Sequence, residues 1–219
     1  MNTLGLKKSS NNTKILVAMS GGVDSSVVAA MLKKQGYKVF GATMRLYSQV
    51  DKVNKNKNCC AGRDIEDARL VAKQFDFPHY ILDYQEEFYE GVIEDFAKSY
   101  AEGLTPIPCV KCNQTVKFEN LLKFAKENKA DALVTGHYVK SITSNNNTHM
   151  YRAIDKNRDQ SYFLFNTTRK QLSFSREFDS KTIVQTFSLG NLIWKQLSAV
   201  ITSFSREFDS KTIVCRHFR

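Results

Sequence analysis

Alternating apolar runs and amphipathic segments constrain the fold of this chain more than any other feature of its sequence. The apolar runs are short enough for single strands and cover residues 14–19, 39–44, 79–82 and 132–135. Segments with apolar residues at helical spacing cover residues 25–34, 65–75, 88–100 and 116–128. This alternation predicts an α/β fold, with a doubly wound and mainly parallel sheet that helices cover on both faces.

The chain after residue 136 departs from this alternation. Residues 137–143 and 149–153 predict a β-hairpin around three asparagines. Residues 173–184 then recur unchanged as residues 203–214. Repeat architectures need three or more units, so one identical pair is more typical of a recent insertion or duplication in the gene. We therefore predict one domain over residues 1–165 and a tail over residues 166–219 that carries the duplicated segment.

Composition bounds the class of protein. The formal net charge is +10 and the pI is about 9.3, which favours a polyanionic partner, although a Lys- and Asn-rich proteome produces the same bias. No apolar run approaches the roughly 20 residues of a transmembrane helix, and the first residues contain no signal-peptide core. The five cysteines are then expected to be reduced. We expect a cytoplasmic protein without a membrane partner; a mitochondrial location is the alternative.

The strongest functional signal is the segment Ser-Gly-Gly-Val-Asp-Ser-Ser at residues 20–26, between the first predicted strand and helix. Its glycines let the backbone approach a ligand closely, and the N–H groups of the loop and first helical turn can converge on an anion. The segment has neither a Walker-loop ending nor dinucleotide-fold spacing. Asp24 could orient Mg²⁺ or simply favour the helix start. The pattern predicts a phosphate site; an ordinary serine-capped turn is the structural alternative.

A second group of candidate residues surrounds Cys109 and Cys112, ahead of a predicted helix. Cys112 stands just before the predicted helix N-terminus, where the helix dipole together with Lys111 and Lys117 would lower the pKa of its thiol. A thiolate there could attack a sulfane sulfur. The Cys-x-x-Cys spacing also suits half of a zinc site, and a purely structural pair is the third interpretation.

Several motifs, in order along the chain, resemble one enzyme superfamily. The loop at residues 20–26 resembles the pyrophosphate loop (PP-loop) of the N-type ATP pyrophosphatases, whose domain has the adenine nucleotide alpha hydrolase-like fold. Residues 105–113 (Thr-Pro-Ile-Pro-Cys-Val-Lys-Cys-Asn), 135–138 (Thr-Gly-His-Tyr) and 159–164 (Asp-Gln-Ser-Tyr-Phe-Leu) resemble the tRNA-specific 2-thiouridylases. The resemblance extends from about residue 14 to residue 165.

This resemblance implies ATP- and Mg²⁺-dependent 2-thiolation of the wobble uridine of tRNA. The 2-oxo group would be adenylated, and sulfur from a cysteine persulfide would then replace the oxygen. Partners would be tRNA and a sulfur-carrier protein; Cys112 would be the nucleophile, and no residue is assigned to a permanent metal site. The residues that would bind ATP are Ala18, Met19, Ser20, Gly21, Gly22, Val23, Asp24, Ser25, Met44 and Gly136. Those that would contact the target base are Ile107, Pro108 and Cys109, and those that would contact tRNA are Arg158, Asp159 and Gln160.

Two departures from the family pattern bear on activity. Ile107 replaces the asparagine of the family's Thr-Pro-Asn-Pro segment, so a polar contact near the base would be lost. The family's second, persulfide-bearing cysteine lies in a Gly-Ile-Cys-Phe segment that does not occur in this sequence, and no other cysteine is assigned its role. We therefore expect a thiouridylase catalytic domain from an interrupted or truncated gene. The alternatives are a non-catalytic protein that binds ATP and tRNA, and another adenylating PP-loop enzyme.

Overall fold

The computed structural model describes residues 2–47, 60–144 and 147–177. The strands of this part of the chain are β1 Lys14–Ala18, β2 Lys38–Arg45, β3 His79–Asp83, β4 Ala132–Thr135, β5 Val139–Ser144, β6 Asn147–Arg152 and β7 Ser175–Glu177. The α-helices are α1 Val23–Lys34, α2 Cys60–Gln74, α3 Gln85–Phe88, α4 Asp95–Ala101, α5 Pro108–Cys112, α6 Leu121–Glu127 and α7 Arg169–Phe174. Short 3₁₀ turns cover Ser10–Asn12, Lys156–Arg158 and Ser161–Leu164.

Two pairs of these helices are continuous. Tyr89–Glu94 joins α3 to α4, and Asn113–Asn120 joins α5 to α6, each with the wider hydrogen bonding of a π-helix. The residues at both junctions keep right-handed helical dihedrals. The predicted helix over 116–128 therefore begins at Pro108, because proline suits the first turn of a helix, where its missing N–H would have no partner. Cys112 lies inside the helix rather than before it.

The central sheet has five parallel strands in the order β3-β2-β1-β4-β7, which confirms the predicted α/β fold. In β1, Ile15, Leu16 and Val17 are fully buried, as an apolar run covered on both faces requires. The strand order reverses between β1 and β4, with β2 on one side of β1 and β4 on the other. Open α/β sheets bind ligands beyond the carboxyl ends of the strands at such a reversal. The fold therefore places a candidate site after β1 and β4.

The hydrophobic core lies between the sheet and the long helix 108–127. Leu16, Phe40 and Leu133 of the sheet pack against Phe118 and Leu121 of this helix, and all five are at most 3% exposed. Full burial of one such side chain contributes about 1.5–3 kcal/mol. This packing holds the helix, which carries Cys112 near its N-terminal end, against the sheet.

Two features after residue 136 complete the described fold. The predicted hairpin is confirmed as β5 and β6, which pair antiparallel from Val139 opposite Arg152. Strand β7, which falls within the first copy of the duplicated segment, pairs with β4. Residues Met1–Ser180 form one compact unit; the second copy of the duplication lies outside the described residues. The domain boundary predicted after residue 165 stays a prediction. None of the described helices is long and apolar enough to cross a membrane.

Candidate functional site

The candidate site is built on the carboxyl ends of three neighbouring parallel strands. Ala18 closes β1, Met44 lies one residue before the end of β2, and Gly136 directly follows β4. Met19 continues the sheet, because its backbone N–H donates to the Ala42 carbonyl at 2.8 Å. Because the strands are parallel, their carboxyl ends meet at one edge of the sheet.

The loop at residues 20–26 is held by its own serines. The Ser25 hydroxyl accepts a hydrogen bond from the Ser20 N–H at 3.2 Å and donates to the Gly22 carbonyl at 3.2 Å. The Ser26 hydroxyl donates to the same carbonyl at 2.8 Å. Ser25 and Ser26 are buried, whereas Val23 is 53% exposed. These bonds fix the loop and leave the first-turn amides of α1, which have no acceptor within their helix, available to an anion.

Glycines bring the neighbouring elements into close contact with this loop. Gly21 has a φ of +78°, and a β-carbon there would lie 2.1 Å from the backbone oxygen of Asp64 in α2. A β-carbon at Gly136 would lie 3.2 Å from the backbone nitrogen of Ser25. Only glycine at residue 21 permits both the left-handed conformation and the contact with α2. The loop is therefore enclosed by α2 on one side and by the end of β4 on the other.

A chain of hydrogen bonds links the loop to the segment predicted to contact tRNA. The hydroxyl of Tyr138 donates to Oδ1 of Asp24, and Nη1 of Arg158 donates to that hydroxyl at 3.0 Å. The Arg158 guanidinium also lies over the Tyr138 ring, 5.5 Å from its centroid. The bond to Tyr138, with a smaller contribution from the charge of Asp24, raises the pKa of Arg158. The first turn of α1 and residue 158 are thereby connected through one side chain.

The next two residues are also fixed in place. Gln160 pairs with the backbone of Tyr138 in both directions, accepting from its N–H through Oε1 at 3.0 Å and donating its own N–H to the Tyr138 carbonyl at 3.0 Å. Asp159 accepts from the Ser161 N–H at 2.9 Å and lies 3.5 Å from Arg152. Burial opposes ionisation of Asp159, but these hydrogen bonds and the charge of Arg152 outweigh it and lower its pKa.

Asn113 ties the helix 108–127 to this same segment. Its side-chain N–H donates to the Phe163 carbonyl at 3.0 Å, and the residue is only 3% exposed. Its Oδ1 is buried without a hydrogen-bond partner among the described residues. The contact places the residue after Cys112 directly against the 3₁₀ turn that follows Gln160.

The prediction that the pKa of the Cys112 thiol is lowered is wrong for this chain without its ligands. Cys112 is 7% exposed and packs with Phe88, Val92 and Val116 between the two long helices. Burial raises the pKa of its thiol, and the charge of Lys117 opposes this only in part. The helix begins at Pro108, eight residues before the predicted start at residue 116 and four residues before Cys112, so the thiol gains little from the helix N-terminus.

The residues predicted to contact the target base lie in the first turn of the same helix. Ile107 is its N-cap residue and is 38% exposed, and Pro108 occupies the first helical position. Cys109 is an exposed free thiol, one helical turn from Cys112. This short stretch therefore presents one accessible and one buried sulfur.

No three His, Cys, Asp or Glu side chains in the described ranges are grouped as metal ligands would be. Cys59, a further cysteine that could complete a zinc site with Cys109 and Cys112, lies outside the described residues, and the zinc interpretation stays a prediction. The carboxylate of Asp24, within the loop at residues 20–26, fits Mg²⁺, which proteins commonly hold by one or two carboxylates together with substrate phosphates.

Sequence reasoning gave Tyr138 and Asn113 no separate role. Both were visible in the quoted motifs, as the tyrosine after Gly-His and the asparagine after Cys112. Their partners, Asp24 and Phe163, lie 114 and 50 residues away along the chain. His137 stacks on Phe118, with ring centroids 6.0 Å apart, as a packing residue would.

Comparison with known proteins shows which family this chain belongs to. The family model described as the tRNA methyl transferase HUP domain matches residues 13–183. The tRNA-specific 2-thiouridylase MnmA of Orientia tsutsugamushi is 54% identical over 171 residues, which are 78% of this chain and 46% of the relative. The enzyme of the same name from Neorickettsia sennetsu is 54% identical over 186 residues, 84% of this chain and 47% of the relative. The chain thus spans about half the length of the curated relatives it matches.

A solved structure of NMN synthetase from Francisella tularensis is a more distant match, 18% identical with a TM-score of 0.38 over 56% of this chain and 44% of that one. A likeness of that size supports no argument about function. The family model, in contrast, covers the loop at 20–26, the Cys112 helix and the segment at 158–164 together. The resemblance drawn from these motifs is confirmed. The chain belongs to the family of the tRNA methyl transferase HUP domain and is similar to the tRNA-specific 2-thiouridylases over most of its length.

Proposed function

We propose that this chain carries the site for ATP-dependent 2-thiolation of the wobble uridine of tRNA, acting in the cytoplasm with a persulfide-bearing sulfur carrier as partner. One observation supports this most directly. The predicted phosphate loop, the Arg158–Gln160 segment and the Cys112 helix are joined at one sheet edge by the contacts of Tyr138 and Asn113. A nucleotide, an RNA base and a thiol need such proximity to react.

The loop at residues 20–26 is the nucleotide half of this proposal. Its amides and the first turn of α1 would bind the phosphates of ATP, and Gly136 would leave room beside Ser25. Ala18 and Met44 would contact the nucleotide from the strand ends, and Asp24 would hold Mg²⁺ with the phosphates. ATP supplies the adenylyl group that turns the uridine 2-oxygen into a leaving group.

The RNA half combines positive charge with a fixed backbone. Exposed basic side chains lie within the segment that the bonds to Tyr138 hold in place and on either side of it along the chain, namely Arg152, Lys156, Arg158, Arg169 and Lys170. These would neutralise backbone phosphates and release counterions. Ile107, Pro108 and Cys109, exposed or half-buried at the start of the helix, would lie against the base.

Cys112 is the proposed nucleophile. Its proton must leave before the sulfur can attack, and Lys117 favours the thiolate while burial disfavours it. Binding of the tRNA and of the carrier protein would therefore have to change the surroundings of this thiol before sulfur is transferred.

A second candidate function is binding of ATP and tRNA without sulfur transfer. The observation in its favour is the burial of Cys112, which raises the pKa of the thiol and keeps it protonated at neutral pH.

Thiolation of tRNA separates the two functions. The full chain is incubated with ATP, Mg²⁺, a persulfide-bearing sulfur carrier and unmodified tRNA, and the tRNA is run on a mercury-containing gel, which retards thiolated RNA. Cys215, which directly follows the second copy of the duplicated segment and is assigned no role, is the control. A retarded band that is lost in Cys112→Ser and kept in Cys215→Ser supports thiolation. The absence of a band, in a protein that still binds both ATP and tRNA, supports the binding function. Failure to bind either ligand contradicts both.

A further inference from the structure

Tyr138 connects two oppositely charged side chains of the site, Asp24 in the loop and Arg158 in the RNA segment. Its hydroxyl donates to the Asp24 carboxylate and accepts from the guanidinium of Arg158 at 3.0 Å. Tyr138 is 6% exposed, whereas Arg158 is exposed to solvent. A polyanion can therefore reach Arg158, while the tyrosine and its bond to the first turn of α1 stay inside.

These two hydrogen bonds determine how a ligand at Arg158 affects the Asp24 carboxylate. A hydroxyl that accepts from a cation becomes a stronger donor, so Arg158 strengthens the hold of Tyr138 on the Asp24 carboxylate. A carboxylate held in this way is less free to share a cation with bound phosphates. A phosphate that neutralises Arg158 or draws it away weakens the hold and frees the carboxylate.

We propose that Tyr138 is a positioning residue that couples the RNA segment to the nucleotide loop: RNA phosphate at Arg158 releases Asp24 and raises the affinity of the loop for a magnesium nucleotide. The inference rests on the proposed function, because it assigns nucleotide and RNA to these two places. By linkage, the nucleotide raises the affinity for RNA by the same factor.

The test is a pair of binding constants measured on the full chain. The Kd of the non-hydrolysable analogue AMP-PNP with Mg²⁺ is determined by calorimetry, without tRNA and with saturating unmodified tRNA. We expect tRNA to lower this Kd about fivefold or more in the wild-type protein. In Tyr138→Phe, which keeps the ring under the guanidinium and removes only the hydroxyl, the ratio should fall to about 1.

Two further variants complete the test: Tyr37→Phe is a control for the loss of a buried tyrosine hydroxyl, and Arg158→Met tests the coupling from its other end. Tyr37→Phe removes a hydroxyl that contacts Thr3 at 2.7 Å on a tyrosine that is also buried, 2% exposed, and it should keep the wild-type ratio. Arg158→Met should lower the Kd of the magnesium nucleotide without tRNA towards the value that wild type reaches with tRNA. This second result keeps the inference testable even if Tyr138→Phe does not fold.

The possible results distinguish failure of the coupling from failure of the proposed function. Wild-type protein that binds both ligands independently, or Tyr138→Phe that keeps the wild-type ratio, overturns the coupling and leaves the proposed function standing. Nucleotide affinity that is unchanged or weaker in Arg158→Met also overturns it. Wild-type protein that binds neither ligand contradicts the coupling and the proposed function together.

Discussion

The loop after β1 and the helix turn that carries Cys112 lie at the same edge of the sheet but are built in opposite ways. The loop is fixed by the hydroxyls of Ser25 and Ser26, and it presents first-turn amides that an anion can bind without rearrangement. Cys112 is packed among Phe88, Val92 and Val116, and burial raises the pKa of its thiol. The loop is thus preorganised to bind an anion, whereas the helix turn keeps the sulfur of Cys112 in its protonated form. We call these two regions the loop half and the thiol half of the site.

This difference indicates an order of events. Under the proposed function, the loop at residues 20–26 would bind ATP first, whereas the buried thiol would need a change in its surroundings before it could react. The segment 158–163 is in contact with both halves, through Tyr138 on one side and Asn113 on the other. Under the proposed function, RNA binding at that segment would therefore be the step that links the loop to the Cys112 helix.

The largest effect is expected from breaking the loop half at Gly21. Gly21→Ala places a β-carbon 2.1 Å from the Asp64 backbone oxygen at a φ of +78°. We expect the free energy of unfolding to fall by about 3 kcal/mol or more and nucleotide binding to be lost. Gly103→Ala has a φ of +75° with nothing within 4 Å, so it should cost only about 1–2 kcal/mol. If urea denaturation gave the same loss in the free energy of unfolding for Gly21→Ala and Gly103→Ala, the close contact between Gly21 and α2 would be contradicted.

The next effect concerns the anchor of the thiol half. Asn113→Ala removes the hydrogen bond to the Phe163 carbonyl from a buried site, and we expect a loss of about 2 kcal/mol in the free energy of unfolding. Asn128→Ala removes a similar bond, 2.9 Å from the Asn128 amide to the Phe124 carbonyl, at a less buried helix end. That control should lose less than about 1 kcal/mol. Urea denaturation of both variants measures the difference, which would vanish if the Phe163 contact were unimportant.

A smaller, pH-dependent effect is expected in the segment between the halves. Because the pKa of Asp159 is lowered below its ordinary value of 3.8, its carboxylate stabilises the fold above that value and loses this contribution as the pH falls through the folded-state pKa. Asp159→Asn should therefore be about 1 kcal/mol less stable than wild type at pH 7. The gap should close below pH 3.8. A gap that is equal at both pH values in urea titrations would show that the charge plays no part.

The smallest effect is expected in the pH dependence of Cys112 alkylation, which reports on the pKa of the thiol. Because burial raises the pKa of Cys112, its alkylation in the native protein should reach half its maximum rate at a higher pH than in urea. Lys117→Gln should move the native profile higher still, since the charge of Lys117 lowers this pKa. Lys123→Gln, an exposed lysine further along the helix, should leave it in place. Peptide mass spectrometry follows Cys112 separately from the other thiols, and a native profile below the unfolded one would refute the burial argument.

Much of the fold could be predicted from short stretches of sequence. Ile15, Leu16 and Val17 form an unbroken apolar run because a parallel strand is buried on both faces, and the same holds for Leu133 and Val134 in β4. Strand β7 could not be predicted in this way, since Ser175–Glu177 is polar and short and pairs only because the edge of β4 is open to it.

The sequence by itself determined the alternating strands and helices and the loop at residues 20–26 between β1 and α1, because each of these depends on neighbours within a few residues. The tertiary structure alone decided how the site residues act. It buries Cys112, in the helix that begins at Pro108, against the helix that begins at Gln85, 23 residues earlier in the chain. It also brings Tyr138 to Asp24 across 114 residues of chain. A thiol's pKa and a carboxylate's hydrogen bond depend on such distant neighbours, and local pattern contains no information about them.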